Sequence, residues 1–261
     1  MYRQGGEEDS DIRERGPRAL ATPSVNSPDK FSTPLYTVAE AARYLDVSTS
    51  TLRRWAQGYD WTSNGRTAHS DAILTTVKSA ARREATIPFV GLAEGLVLAA
   101  IRDSGVPLQR IRPALAKLDE ELGVHHALAS RRLYTDGAEV LMDVSATFDD
   151  PNDLKALNEL VVVRNGQRVL NEAVCSYLRR LEFGPDGYVG LIHLPAYSVA
   201  DVVVDPSRGF GQPIFARGGA RLEDALALFR AGESVEVVSG EYRVPQADLE
   251  DAIRIALLAA A

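Results

Sequence analysis

Apolar positions recur at helical spacing through the first half of this chain and give way further on to short apolar runs broken by turn residues. Val38, Ala41, Ala42 and Leu45 stand at i, i+3, i+4 and i+7, which draws one apolar stripe. Thr37-Val-Ala-Glu40 in front of them has the form of a capping box, whose hydroxyl and carboxylate satisfy orphan amides at a helix start. Asp46-Val47 then predicts a turn, with Val47 as an apolar plug. Ser48 caps a second helix from Thr49 to about Gln57. Leu52 and Trp55 share its inward face; Thr49, Ser50, Arg53, Arg54 and Gln57 are left pointing out.

A further apolar helix is predicted from Leu92 to Ser104, ended by Gly105, and another opens at Pro107 and runs towards Gly123. Ile111, Leu115, Leu118 and Leu122 give the latter a single stripe. From Asp136 to Leu194 the pattern turns to β-branched and aromatic runs, and a hairpin-rich middle is expected. Its clearest part is Leu160 to Leu170, where Asn165-Gly166 suits a type I′ turn. A second hairpin is predicted from Leu178–Phe183 to Tyr188–Leu194 through Gly184-Pro-Asp-Gly187. Beyond Pro195 come a strand over Val202–Val204, a glycine-rich turn, a short strand over Pro213–Ala216 and three compact helices. The first has Leu222, Ala225, Leu226 and Phe229 on one face; the last has Leu249, Ala252, Ile253, Ala256 and Leu257 inward.

The expected class is α+β: a mostly helical winged helix-turn-helix, a β-hairpin-rich middle, and a small C-terminal unit of short strands plus three helices. The expected divisions are a disordered tail over 1–34, a reader domain over 35–132, a connecting region over 133–200 and a C-terminal module over 201–261. The tail is read from its Gly, Pro, Ser and charge content, which offers little to bury.

Composition narrows the field. At 45% hydrophobic and 25% charged residues, the 261-residue chain has the make-up of an ordinary packed protein. Its single cysteine, Cys175, leaves no internal disulfide to form and suits a reducing compartment. The longest apolar run, Leu96 to Ile101, is far short of the roughly 20 residues a membrane span needs, and the charged N-terminus does not read as a secretory signal, so a cytoplasmic location and no membrane partner are expected. The net charge of −7 hides an asymmetry. Residues 37–84 carry seven basic against five acidic groups, whereas residues 201–261 carry six against ten. A basic front and an acidic back point to different partners.

Thr49, Ser50, Arg53, Arg54 and Gln57 are the residue types, at the spacing, that a recognition helix presents to base edges and phosphates. Arg66, beside Asn64-Gly65, is expected on a wing, with Lys78, Arg82 and Arg83 along the phosphates. Other groupings carry less. Gly209, Gly211, Gly218 and Gly219 lack a phosphate-loop ending and read as tight turns. His125-His126 lacks further ligands at metal-binding spacing, Cys175 has no His/Asp set beside it, and both tryptophans read as core. No catalytic residue, metal or cofactor is expected, and an enzyme is disfavoured.

The run VAEAARYLDVSTSTLRRW resembles the start of MerR-type winged helix-turn-helix domains, and the stretch from Phe89 to Arg112 resembles their second helical pair. The chain departs from those regulators in lacking both their long dimerisation helix and the cysteines of the metal sensors. From Val202 onward, Asp205-Pro206, Gly211-Gln-Pro213, Arg221 and Gly232-Glu-Ser234 resemble domain of unknown function 433, with Ala220 where a threonine is usual. With RIRPALAKLDEELGVHHALASRRLYTDGAEVLM between them, the whole of 36–258 resembles VapB-type antitoxins of type II toxin–antitoxin systems. The resemblance implies an antitoxin that blocks a PIN-like, VapC-type ribonuclease toxin and represses its own operon at double-stranded operator DNA, as a homodimer or higher hetero-oligomer. Contact with the toxin is expected around Arg208, Phe210 and Arg221, by charge pairing with an acidic nuclease centre. The alternative is a MerR-like regulator that answers a small ligand and has no toxin.

Overall fold

A computed structural model of the chain describes residues 28–63, 66–78, 84–145, 150–164 and 167–260. Its first helices follow from their caps. Helix α1 (Val38–Tyr44) starts at Thr37, whose side chain accepts from the Glu40 amide while the Glu40 carboxylate accepts from the Thr37 amide. Helix α2 (Thr49–Gln57) starts at Ser48, whose hydroxyl accepts from the Thr51 amide. Between them Asp46 takes a left-handed turn at φ +54°, and the Val47 amide donates back to the Ala42 carbonyl at 3.0 Å. Gly58 ends α2 at φ +71°, and a Cβ there would overlap the Ser70 carbonyl oxygen, so glycine is required twice over.

Strands β1 (Tyr59–Ser63) and β2 (Arg66–Ser70) follow as an antiparallel ribbon in the place expected for a wing. The chain then returns to α2, where the amides of Ile73 and Leu74 both donate to the Trp55 carbonyl. Helix α3 (Phe89–Asp103) is the axle of the molecule: every residue from Phe89 to Ile101 is buried, as befits a helix apolar on nearly all sides. Gly95 lets the helix-turn-helix close on it, since a Cβ there would press on Leu45 Cδ1 at 2.7 Å. Helix α4 (Leu108–Leu122) buries Ile111, Leu115, Leu118 and Leu122 as its stripe requires, and ends at left-handed Gly123.

Two expectations are corrected here. Residues 28–34 are not part of a free tail: the Lys30 carbonyl accepts from the Val90 amide, and Phe31 stacks on His126 with ring centroids 5.5 Å apart. One aromatic and one lysine suffice, because both are aimed at partners far along the sequence. The middle is not dominated by hairpins either. It contains helices α5 (Arg131–Ser145), α6 (Pro151–Leu160) and α7 (Glu172–Leu178). In α5 the buried Leu133, Gly137, Ala138, Leu141 and Val144 keep helical period, but a glycine and a β-branched residue among them disguise it. Asp150 and Asn171 cap α6 and α7 through the amides of Asn152 and Val174.

The two predicted hairpins do form. Strands β3 (Val161–Arg164) and β4 (Gln167–Leu170) pair with Arg164 opposite Gln167; the Asn165-Gly166 turn lies outside the described residues. Strands β5 (Leu181–Phe183) and β6 (Val189–His193) pair, with a register shift at Glu182/Phe183. Leu178 falls in α7, not in the strand.

Strand β6 also pairs with β7 (Val202–Val204), and β7 with β8 (Ile214–Phe215), giving one antiparallel sheet in the order β5-β6-β7-β8. The expected boundary at 200/201 therefore runs through a sheet. Helices α8 (Leu222–Arg230), α9 (Val235–Tyr242) and α10 (Gln246–Ala260) close this end. The main apolar core of the described residues runs from Tyr36 through α3 to Ile253, and Leu191, Val203 and Ile214 form a small second cluster. Leu257, expected inward, is 64% exposed and lies on the open side of α10. Among the described residues, no helix is long and apolar enough to cross a membrane.

Candidate nucleic-acid interface

Helix α2 presents two faces of opposite character. Leu52 and Trp55 are buried and fix it to α3 and to the loop behind the wing. Thr49, Ser50, Arg53, Arg54 and Gln57 are all exposed among the described residues. Neither Arg53 nor Arg54 makes an ion pair among the described residues; the Arg54 guanidinium lies 5.7 Å from the Tyr59 ring centroid. Two adjacent cations on a rigid, capped helix are free to meet an anion. Arg66 opens β2, one ladder step from the ribbon's tip opposite Ser63. Its side chain lies outside the described residues, as do Arg82 and Arg83. Lys78 is exposed.

Beside α2 lies a groove of about 330 Å³ that sequence reasoning missed, walled by the turn between α3 and α4. Arg54, Arg102 and Arg112 line it together with Thr51, Tyr59 and Gln109, and no acidic residue does. Arg102 is held by Asp103 at 2.6 Å, Arg112 donates to the Asp71 carbonyl, and Gln109 Nε2 donates to Tyr59 Oη at 3.0 Å. Burial pushes the Arg112 guanidinium down from its ordinary pKa, and its Nε is enclosed without a hydrogen-bond partner among the described residues. The signal in the sequence was Arg102 in the last turn of one helix and Arg112 in the second turn of the next.

The three residues expected to face a toxin part company. Asp205 is buried and accepts from the Ser207 amide at 2.8 Å, from Ser207 Oγ at 2.6 Å and from Arg208 Nε at 2.7 Å. Arg208 is thus spoken for by the fold. Phe210 is the opposite case: its ring is 71% exposed, on a backbone at φ +54° between Gly209 and Gly211, which are also left-handed. Arg221 lines a cleft of about 160 Å³ with Gln212 and Pro213, just past that loop, and with Glu40, Arg43 and Tyr44 of α1 and Glu223 of α8. Tyr36, immediately before α1, donates its hydroxyl to the Gly211 carbonyl at 2.7 Å, which seats the Phe210 loop on the front of the molecule.

An apolar groove of about 440 Å³ runs along α10, lined by Phe229, Val235, Ile253, Leu257 and Leu258 between Glu250 and Arg254. Of the two histidines, His126 serves the fold: its Nδ1 reaches Glu94 at 3.1 Å and Thr75 Oγ1 at 3.0 Å, while His125 is exposed. Cys175 is half-buried, its thiol donates to the Leu170 carbonyl, and burial pushes its pKa up.

Comparison with known proteins places the chain in a family. Residues 34–115 match a family described as "Putative DNA-binding HTH domain". The chain is 44% identical over 227 residues to "Putative antitoxin VapB45" of Mycobacterium tuberculosis (strain ATCC 25618 / H37Rv), covering 86% of this chain and 94% of that protein. It is 24% identical over 227 residues to "Uncharacterized protein Rv2308" of the same organism, covering 84% of this chain and 88% of that one. The X-ray crystal structure of Rv2018 from Mycobacterium tuberculosis superposes with a TM-score of 0.74 at 41% identity, over 86% of this chain and 99% of that one.

Proposed function

Because this chain belongs to the family of the protein named "Putative antitoxin VapB45", we propose that it is an antitoxin that represses its own operon at double-stranded operator DNA and neutralises a VapC-type, PIN-like ribonuclease toxin by direct binding. It acts by binding, without a metal or cofactor of its own. The observation that carries the DNA reading is the exposed polar face of α2, anchored from behind by Leu52 and Trp55. Thr49, Ser50, Arg53, Arg54 and Gln57 enter the major groove in this reading, and Arg66 on the wing meets the backbone or the minor groove. A nine-residue helix offers few base contacts. A dimer on a palindromic operator, with half-sites about one helical turn or 34–36 Å apart, supplies the remaining affinity.

A mobility shift on the operon's own promoter tests this. Arg53→Ala is expected to weaken operator binding by about 1–3 kcal/mol and to relax sequence preference at one base pair of each half-site. Undiminished binding by Arg53→Ala together with Arg54→Ala would remove α2 from the interface.

The toxin contact is assigned to the loop that carries Phe210. An exposed phenyl ring held at positive φ is costly for the free protein, and such strain persists where a partner makes use of it. Arg221, in its cleft against α1, is a second and separate point of contact; Arg208 contributes by holding the loop through Asp205.

A further inference from the structure

We infer that the groove between α2 and the α3–α4 turn is a phosphate-binding site, in which Arg54, Arg102 and Arg112 surround one phosphate group. Three arginines line one concave surface, and no carboxylate is among its described lining residues. Arg102 pairs with Asp103 and Arg112 is drawn to Asp71, while Arg54 makes no ion pair among the described residues, so the groove keeps a net positive charge. The guanidinium groups are also prepositioned. Asp103 fixes Arg102, the Asp71 carbonyl fixes Arg112, and the Tyr59 ring supports Arg54. Their conformational freedom is spent before any ligand arrives.

Two donors lack acceptors. Arg112 Nε is enclosed and without a hydrogen-bond partner among the described residues, and leaving such a donor unpaired costs about 1–3 kcal/mol. Tyr59 Oη accepts from Gln109, which leaves the phenol's own proton to be donated. A phosphate group, with its charge and several oxygens, can accept from the Tyr59 phenol and pair with the exposed guanidinium groups at once; a carboxylate offers only two oxygens and an amide no charge. A guanidinium lining is also the planar, multi-donor surface that phosphate oxygens suit.

The source of the phosphate follows from Arg54. It stands on the exposed face of α2 and also lines the groove, so a duplex read by Arg53 and its neighbours runs its backbone past the groove mouth. The expected ligand is therefore a phosphodiester of the bound duplex, and to that extent the inference rests on the operator-binding reading. Free inorganic phosphate offers the same chemistry and serves as an independent probe.

The test uses Arg102→Gln and Arg112→Gln in the full chain. Arg102 pairs only with its neighbour Asp103, so its variant keeps the test usable if Arg112→Gln, which also loses the Asp71 contact, misfolds. Each variant is expected to lower the slope of log K against log salt for the operator duplex by about 0.9 while leaving base preference as in wild type. Arg53→Ala changes base preference instead. In parallel, inorganic phosphate is titrated against chloride at matched ionic strength and thermal unfolding is followed.

Slopes that fall in the variants support the groove as a clamp on the duplex backbone, with or without an effect of free phosphate. A phosphate-dependent rise in Tm that both variants lose supports the groove even where the wild type ignores the operator; the DNA reading alone then fails. Unchanged slopes and no phosphate effect, in a wild type that does bind the operator, overturn the groove and spare the DNA reading. If the wild type responds to neither duplex nor phosphate, both are wrong.

Discussion

Among single residues, Phe210 combines the two properties that folding does not favour. Its φ of +54° belongs to the left-handed region, which costs a non-glycine residue about 1–2 kcal/mol, and its ring is 71% exposed. With the residue so exposed, little packing among the described residues offsets that cost. Asparagine tolerates the same backbone region and lacks the apolar ring. Phe210→Asn is therefore expected to leave stability unchanged or raise it by up to about 1 kcal/mol, and to abolish co-purification of the toxin encoded in the same operon. A loss of several degrees in Tm would mean that the ring packs after all, and full retention of the toxin would take Phe210 out of the contact. The sequence grouped Phe210 with Arg208 and Arg221, whose side chains the fold sets in different surroundings. Arg208 stands three residues after Asp205, a spacing that already invited the ion pair observed at 2.7 Å. Arg221 sits at the N-terminal edge of α8, and only the return of the chain against α1 decides what it faces.

At the level of elements, legibility followed capping and period. Helices α1, α2 and α4 announced themselves by Thr37, Ser48, Pro107 and Gly123, and their apolar stripes proved to be their buried faces. The hairpins β3–β4 and β5–β6 were equally readable from their turn residues. Helix α5 was not, since Gly137 and Val144 weaken a propensity signal that burial against α4 overrides. Contacts between distant elements were also beyond reach. Glu94, within an otherwise apolar α3, is 4% exposed, yet it accepts from the Thr75 amide at 2.7 Å and from Thr75 Oγ1 at 2.9 Å. It also reaches His126 Nδ1 at 3.1 Å, so one carboxylate ties α3 to the loop behind the wing and to the turn after α4.

The bond to Glu94, aided by that carboxylate's charge and by Asp119, raises the His126 pKa against the opposing effect of burial. A folded-state pKa above the unfolded value of about 6.5 makes the imidazolium a stabilising group. Its contribution is complete below about pH 6.5 and is lost as pH rises through the raised folded value. Tm is accordingly expected to fall on the alkaline side of pH 6.5, and His126→Gln to flatten that limb. Glu94→Gln should cost about 1–3 kcal/mol at neutral pH by leaving part of this buried site unpaired. A wild-type profile that coincides with that of His126→Gln from pH 6 to pH 9 would show that the pair carries no pH-dependent stability.

For the molecule as a whole, the charge pattern suggested a basic reader and an acidic partner module joined by a connector, and packing tells a different story. Strand β6, from the expected connector, bonds to β7, from the expected module, with Ile192 opposite Val204. Tyr36, in front of the recognition helices, is 1% exposed and donates to Gly211 in the far loop. Asp251 of α10 accepts from the amides of Val199 and Ala200. Burial alone would raise the pKa of that carboxyl, but these two amides and Arg254 together outweigh it and hold it below its ordinary range. Surfaces of opposite charge can share one core because charge is written on the outside, while the continuous apolar cluster from Tyr36 to Ile253 is written on the inside. Unfolding is thus expected as one cooperative transition, with calorimetric and van't Hoff enthalpies equal. Removal of residues 201–261 should do more than delete a binding module. It takes Val202, Val204, Phe215, Leu249 and Ala252 out of the core and leaves β6 as a bare apolar edge. That truncation is expected to lose the cooperative transition, to aggregate, and to lose DNA binding along with toxin binding. A soluble fragment that melts cooperatively near the full-length Tm and still shifts the operator would show that the reader folds without the sheet, and that the boundary drawn from charge was the physical one.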